Sequence, residues 1–257
     1  MHCFSFDIET VPDVEFGRRM YGLEDLSDED VGTALTFMRQ QQTGSDFLPL
    51  HLHRVVAISV AFRSGDGFRV WTLGDRDADE AEIIQRFFEG IERYSPELVS
   101  WNGGGFDLPV LHYRALRHGI QAPRYWETGD NDRDFRYNNY LSRFHWRHID
   151  LMDVLAGFQP RGRASLDQVA VMLGFPGKLG MSGDKVWDTW LAGGIDEIRD
   201  YCETDVLNTF LVYLRFEFMR GHLDAAGLER EYSVVRAALE DMDRPHLNEF
   251  LAAWQQG

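Results

Sequence analysis

A chain of 257 residues, 44% hydrophobic and 26% charged, has ample material for one core, and no Pro- or Ser-rich linker divides it. Its formal net charge of −16 excludes a protein that coats nucleic acid through clustered Lys and Arg, yet leaves open an acidic enzyme that grips a few nucleotides through bound cations. No apolar run is long enough to span a membrane and no signal core precedes the first strand, so a cytoplasmic protein with no membrane partner is expected. Cys3 and Cys202 then read as reduced core residues.

The first strand, Met1 to Thr10, alternates Phe4, Phe6 and Ile8 on one face with Ser5, Asp7 and Glu9 on the other. Two carboxylates on one face of a strand that otherwise reads as interior repel each other and resist desolvation. A divalent cation resolves both costs, and hard ions such as Mg²⁺ or Mn²⁺ take such oxygen ligands. A solvated strand end is the plain alternative for this triplet alone. Val11-Pro12-Asp13 ends the run, and residues 15–42 read as helical, within an expected insertion of about 14–53.

Residues 54–62 and 68–73, around the turn Ser64-Gly65-Asp66-Gly67, read as a hairpin that makes an antiparallel trio with the first strand. Ile83, Ile84, Phe87, Phe88 and Ile91 give the helical period over 77–94, with Asp77 or Asp79 as its cap. A short strand over 98–101 leads through Asn102-Gly103-Gly104-Gly105 into a helix over 106–118. There Asp107 reads either as a helix cap or as another site carboxylate, and Asn102 either as a substrate contact or as a turn former. Residues 149–151 predict another strand, with Asp150 either supporting the site from behind its acids or, as favoured, capping the next helix. Helices follow over 165–173 and 195–220, with Gly221 as the stop. The order predicts an α/β fold, a mixed sheet with an antiparallel hairpin side and a parallel side, covered by helices. One domain is expected over 1–221, with 222–257 as a helical extension carrying no recognisable chemistry.

Within the last long helix, Tyr201 and Asp205 stand four residues apart and project from one face, while Glu203 points roughly the other way. A phenol over a carboxylate orients a water molecule by hydrogen bonding. With an ordinary pKa of about 10, it is a poor base near neutrality. A basic and aromatic strip from Phe135 to His148 contains Arg143, Phe144, Trp146 and Arg147 and not one acid. It reads equally as a track for single-stranded nucleic acid and as a loop that closes onto the core.

Together, F-D-I-E-T, W-N-G-G-G-F-D-L-P, H-I-D-L-M-D, S-L-D-Q-V-A and Y-C-E-T-D-V-L-N-T, spread between Phe6 and Thr209, resemble the motifs of the DEDD family of 3′-to-5′ exonucleases. The resemblance is closest to the predicted exonucleases related to the proofreading domain of family B DNA polymerases. It implies a ribonuclease H-like fold and two Mg²⁺ or Mn²⁺ ions held by Asp7, Glu9, Asp107 and Asp205, with mononucleotides released from a 3′ end. Tyr201 resembles the tyrosine branch, since Asp200 stands where the histidine branch places its histidine. The expectation is a metal-dependent 3′-to-5′ exonuclease acting on single-stranded ends, DNA preferred. An exoribonuclease and a non-catalytic binding module of the same fold are the alternatives, and protein partners are not legible.

Overall fold

The computed structural model describes residues 2–65 and 67–255; Met1 of the expected first strand, Asp66 of the expected turn and the end of the tail, Gln256 and Gly257, lie outside the described residues. Strand β1 (His2–Pro12) is followed by helices α1 (Val14–Tyr21) and α2 (Asp28–Thr43). Two helices therefore stand where one continuous helical stretch was expected. Gly22 adopts φ 68° after α1 and Ser27 caps α2 through its side chain, so the stretch breaks where the residues supply a stop and a start. The hairpin is β2 (His53–Ser64) with β3 (Gly67–Thr72), and α3 (Glu80–Tyr94) is capped by Asp79 rather than Asp77.

Strand β4 (Glu97–Ser100) feeds α4 (Asp107–His118), and β5 (His148–Asp150) runs directly into α5 (Leu151–Leu155). Helices α6 (Leu166–Met172), α7 (Val186–Leu191) and the 25-residue α8 (Ile195–Met219) follow, then α9 (Ala225–Met242) and α10 (Pro245–Trp254) in the tail. The five strands are ordered β3-β2-β1-β4-β5, with β1 antiparallel to β2, β2 antiparallel to β3, and parallel pairs β1 with β4 and β4 with β5. This is the expected α/β mixed sheet, consistent with a ribonuclease H-like fold. No described helix is long and apolar enough to cross a membrane.

The central position of β1 explains why its two faces differ so sharply. Phe4, Phe6 and Ile8 share one core with Ile84, Phe87 and Ile91 of α3 and Leu111 of α4. Cys3 shares the opposite core with Val206, Leu207 and Phe210 of α8. Thus Asp7 and Glu9 belong to the face covered by α8. The β1–β2 register slips between Glu9 and Thr10, which face Ala57 and Val55, so Val56 is an extra residue on β2. Such a bulge bends the pair and re-aims side chains at the strand end.

The opening segment after β1 is tied down by a buried ion cluster. The Arg114 guanidinium of α4 meets both Asp13 and Glu80, and all three side chains are at most 5% exposed. The tail is anchored in a similar way. Glu203, pointing away from Tyr201, accepts from the Thr72 backbone N–H and is paired with Arg244, which precedes α10, and with His246 in the first turn of α10.

Candidate active site

Four carboxylates from three elements converge where β1 passes beneath α8 at the C-terminal ends of β1 and β4. Asp7 and Glu9 come from alternate positions of β1, Asp107 from the first residue of α4, and Asp205 from the buried side of α8. Burial pushes the Asp7 carboxyl well above the usual carboxylate range, and the charges of Asp107, Glu9 and Asp205 push it further. Glu9 is raised likewise by burial, Asp205 and Asp107, with Lys178 opposing. Burial raises Asp107 to about 7 despite favourable backbone N–H groups from itself and Ile8, and raises Asp205 to about 6 despite the Tyr201 hydroxyl. A protein gains nothing in stability from this crowding, so the cluster calls for positive charge.

The donor set fits a hard divalent cation. Asp107 Oδ1 is buried and has no hydrogen-bond partner, and donor atoms of Asp7, Glu9 and Cys202 all lie within 4.8 Å of one another. Carboxylate oxygens dominate the cluster, which suits Mg²⁺ or Mn²⁺. Cys202 was read from the sequence only as a core residue. Its thiol lies 3.5 Å from the Asp7 carbonyl oxygen, and burial with the nearby charges of Asp7 and Glu9 holds it protonated.

Tyr201 lies one turn before Asp205 on α8, near enough to favour the ionised Asp205 carboxylate. Burial and the negative charges of Asp205, Glu9 and Asp7 drive the phenol far above its ordinary pKa, so it stays a neutral donor. Asp107 occupies the first turn of α4 and does not cap it, because Phe106 precedes the helix without a side-chain cap bond. Its placement is set by the glycine turn. A Cβ on Gly103 would meet Ser100 Oγ at 2.2 Å, and one on Gly105 would meet Asn102 Oδ1 at 2.6 Å, so a larger residue would open the loop that aims Asp107.

Asp150 caps α5 through the Asp153 N–H, as favoured, and does more: it accepts from the backbone N–H groups of Asn102 at 2.9 Å and Gly104 at 3.0 Å. Asn102 itself has φ 65°, and its carbonyl accepts from Gly105 and Phe106, so it is a turn former. The role of Asp150 was missed in part because its partners follow β4, a neighbouring strand distant in sequence.

The basic and aromatic strip divides. Phe135 and Tyr140 are buried, and the Arg147 guanidinium stacks 3.8 Å from the Phe135 ring centroid while donating to the Asn138 carbonyl. Arg143 is half exposed and pairs at 2.6 Å with the buried Asp153, which Arg163 also meets. Phe144 and Trp146 remain exposed, with Phe144 against Phe158 and Arg220 over Trp146. Arg143 and Arg163 line a hollow beside Gly104 and Gly105, adjoining the turn that carries Asp107. Arg147 lies on the packed side.

Residues 45–254 match the family described as "Predicted 3'-5' exonuclease related to the exonuclease domain of PolB". The chain belongs to this family. Asp107, Tyr201 and Asp205 lie inside the matched stretch of this PolB-related exonuclease family, and Asp7 and Glu9 precede it. Among curated relatives, a DNA polymerase of Archaeoglobus fulgidus is 26% identical over 161 residues, covering 62% of this chain and 19% of the polymerase. The DNA polymerase epsilon catalytic subunit of Schizosaccharomyces pombe is 25% identical over 150 residues, 54% of this chain and 6% of that protein. Its counterpart in Saccharomyces cerevisiae is 25% identical over 148 residues, again 54% and 6%. The chain thus matches less than a fifth of the length of these relatives.

Proposed function

We propose that the chain is a metal-dependent 3′-to-5′ exonuclease of the tyrosine branch, hydrolysing phosphodiester bonds one nucleotide at a time from the 3′ end of single strands, with DNA preferred. The observation that carries this reading is the convergence of Asp7, Glu9, Asp107 and Asp205, from β1, α4 and α8, into one buried cluster whose pKa values are all raised. The family supports exonuclease chemistry, and the preference for DNA draws on relatives that are DNA polymerases.

In this reading the four carboxylates hold two Mg²⁺ or Mn²⁺ ions. When bound, such a pair activates water for in-line attack and stabilises the leaving 3′ oxygen. The chain supplies the rest. The Gly103–Gly105 turn, stapled by Asp150, keeps Asp107 opposite Asp7. Tyr201, neutral throughout the working pH range, donates a hydrogen bond that orients the attacking water beside Asp205. Arg143 and Arg163, each sharing its charge with Asp153, offer guanidinium groups to the strand's phosphates next to the glycine turn.

End-labelled DNA and RNA strands, single and annealed, incubated with the purified protein in Mg²⁺ or Mn²⁺, test this reading. Faster shortening of single-stranded DNA from the 3′ end is expected. Preference for RNA would reassign the substrate, and no hydrolysis of any strand would leave a binding module.

A further inference from the structure

The acid cluster contains one donor that hydrolysis by hard ions does not call for. Mg²⁺ and Mn²⁺ prefer oxygen, and Asp7, Glu9, Asp107 and Asp205 supply it without sulfur. Yet Cys202 of α8 is fully buried against the acid-bearing strand. Its Sγ lies 3.5 Å from the Asp7 carbonyl oxygen and 3.7 Å from Asp7 Oδ2, so the thiol faces both the main chain and the carboxylate of that residue. Cys3, the other thiol, meets Ser5 Oγ at 4.0 Å and faces no such group.

The separations are those that a tetrahedral ion imposes. With Zn–S near 2.3 Å and Zn–O near 2.0–2.2 Å, a sulfur and an oxygen ligand stand about 3.6 Å apart, and two oxygens about 3.4 Å apart. Sγ to Asp7 Oδ2 is 3.7 Å, and donor atoms of Asp7, Glu9 and Cys202 all lie within 4.8 Å of one another. Among the described residues, no other three side chains of His, Cys, Asp or Glu bring their donor atoms so close together. Strand β1 presents Asp7 and Glu9 on one face, and α8 brings the sulfur to them from above.

A further ligand stands ready beside these three. Asp107 is 3% exposed, its Oδ1 has no hydrogen-bond partner, and its charge bears on both Asp7 and Glu9. An acceptor left bare in the interior costs free energy until a cation or a donor meets it. Asp7 is half-buried, which leaves an open side from which an ion enters; Cys202 lies on the closed side.

We propose that Cys202 makes the acid cluster a site of a second kind, which takes a single thiophilic divalent cation of the Zn²⁺ or Cd²⁺ class on Cys202, Asp7 and Glu9; the inference rests on reading these acids as the cation site of an exonuclease. As the metal–sulfur bond forms, the S–H bond breaks and the proton passes to solvent, with no change of oxidation state. Zn²⁺ binds a given set of ligands more tightly than Mn²⁺ does. An ion drawn onto Cys202 takes the Asp7 and Glu9 oxygens that the hard pair needs, so thiophilic ions compete with Mg²⁺ or Mn²⁺ and inhibit hydrolysis.

Co²⁺ is the probe, because a thiolate bound to it gives a near-ultraviolet charge-transfer band that oxygen ligands do not. The full chain, stripped with EDTA and dialysed, is titrated with Co²⁺ as wild type, Cys3→Ser, Cys202→Ser and Cys202→Ala, and Zn²⁺ is then added. Wild type and Cys3→Ser should show the band, and equimolar Zn²⁺ should abolish it. Both Cys202 variants should lack it and should bind Zn²⁺ more than about a hundredfold more weakly in chelator competition, beyond the roughly 10–100-fold cost of removing a group that only supports a ligand. A wild type without the band, a band lost in Cys3→Ser, a band that survives in either Cys202 variant, or a Zn²⁺ affinity that falls by less than that margin each overturns the inference. Should a Cys202 variant fail to fold, wild type and Cys3→Ser still decide whether sulfur binds the ion and which sulfur it is. Hydrolysis by the wild type in Mn²⁺ reports separately on the exonuclease reading: a band without hydrolysis keeps the thiophilic site and removes the nuclease, and hydrolysis without a band does the reverse.

Discussion

Cys202 Sγ lies 3.7 Å from Asp7 Oδ2, so a thiol of α8 closes the acid cluster from above β1. Burial, with the charges of Asp7 and Glu9, keeps that thiol protonated, and burial with Glu97 does the same for Cys3. Only a thiolate is reactive. Titration with a chromogenic disulfide at pH 8 should therefore find no reactive thiol in the native protein and two after denaturation, matching the two cysteines of the chain. Rapid reaction of one thiol in the native state would mean that the cleft above Asp7 opens to solvent.

The raised acids give the metal-free protein an unusual pH response. Asp107 titrates at about 7 in the native state against about 3.9 unfolded. Between those values the native state binds more protons than the unfolded state, so this group's contribution to stability falls as pH rises through the window. Asp13 and Glu127 are lowered and act in the opposite sense, but their effect is confined to more acid solution. In EDTA, Asp107→Asn should match wild type in Tm near pH 4 and exceed it above pH 7, by about 2–4 °C for each kcal/mol relieved. A variant no more stable than wild type at pH 8 would contradict the crowding of the cluster.

Arg114 faces two buried carboxylates, and its loss leaves Asp13 only the more distant Arg117 guanidinium at 3.7 Å and Glu80 only the His118 ring at 2.8 Å. Arg114→Met should cost about 3–5 kcal/mol of stability in urea unfolding. Combining it with Asp13→Asn and Glu80→Gln should recover much of that loss. Additive losses instead would mean that the hydrogen bonds of Glu80 to the Val55 N–H and of Asp13 to the Phe16 N–H matter more than charge balance.

The sheet was legible because period and punctuation agree. Phe4, Phe6 and Ile8 alternate with acids, Ser64-Gly65-Asp66-Gly67 marks a hairpin, and Asn102 with its glycines marks the exit from β4. The four acids and Tyr201 were legible as candidates because their motifs occur in a fixed order along the chain. What escaped were relations between elements far apart in sequence. Nothing local to Asp150 shows that it staples the turn after β4, and nothing local to Glu203 shows that Arg244 and His246 anchor the tail on it. The strip from Phe135 to His148 was ambiguous for the same reason: Arg143 and Arg147 look free in a segment without acids, but Asp153 and the Phe135 ring reach them in space. Two helices within 14–53 were merged because helix-forming residues continue on both sides of Gly22.

Tyr201 is read as orienting water and not as a base. Tyr201→Phe should therefore lower kcat by about 10–100-fold, the usual range for a group supporting metal ligands, with strand affinity in Ca²⁺ unchanged. The acid limb of the pH profile should persist, moved if at all to higher pH as Asp205 loses the hydroxyl that favours its ionised form, because the phenol itself does not titrate in that range. A lost limb would instead give Tyr201 a proton-transfer role.

The most direct test of the account is a time course on a 5′-labelled single strand in Mn²⁺, run side by side for wild type, Asp7→Ala and Asp205→Ala. Wild type should produce a ladder shortening by single nucleotides from the 3′ end, abolished by EDTA, and both variants should leave the strand intact while retaining a folded state by circular dichroism. A ladder from either variant at the wild-type rate, or a wild type that leaves the strand untouched across Mg²⁺ and Mn²⁺, would contradict the assignment of the acid cluster as the exonuclease site.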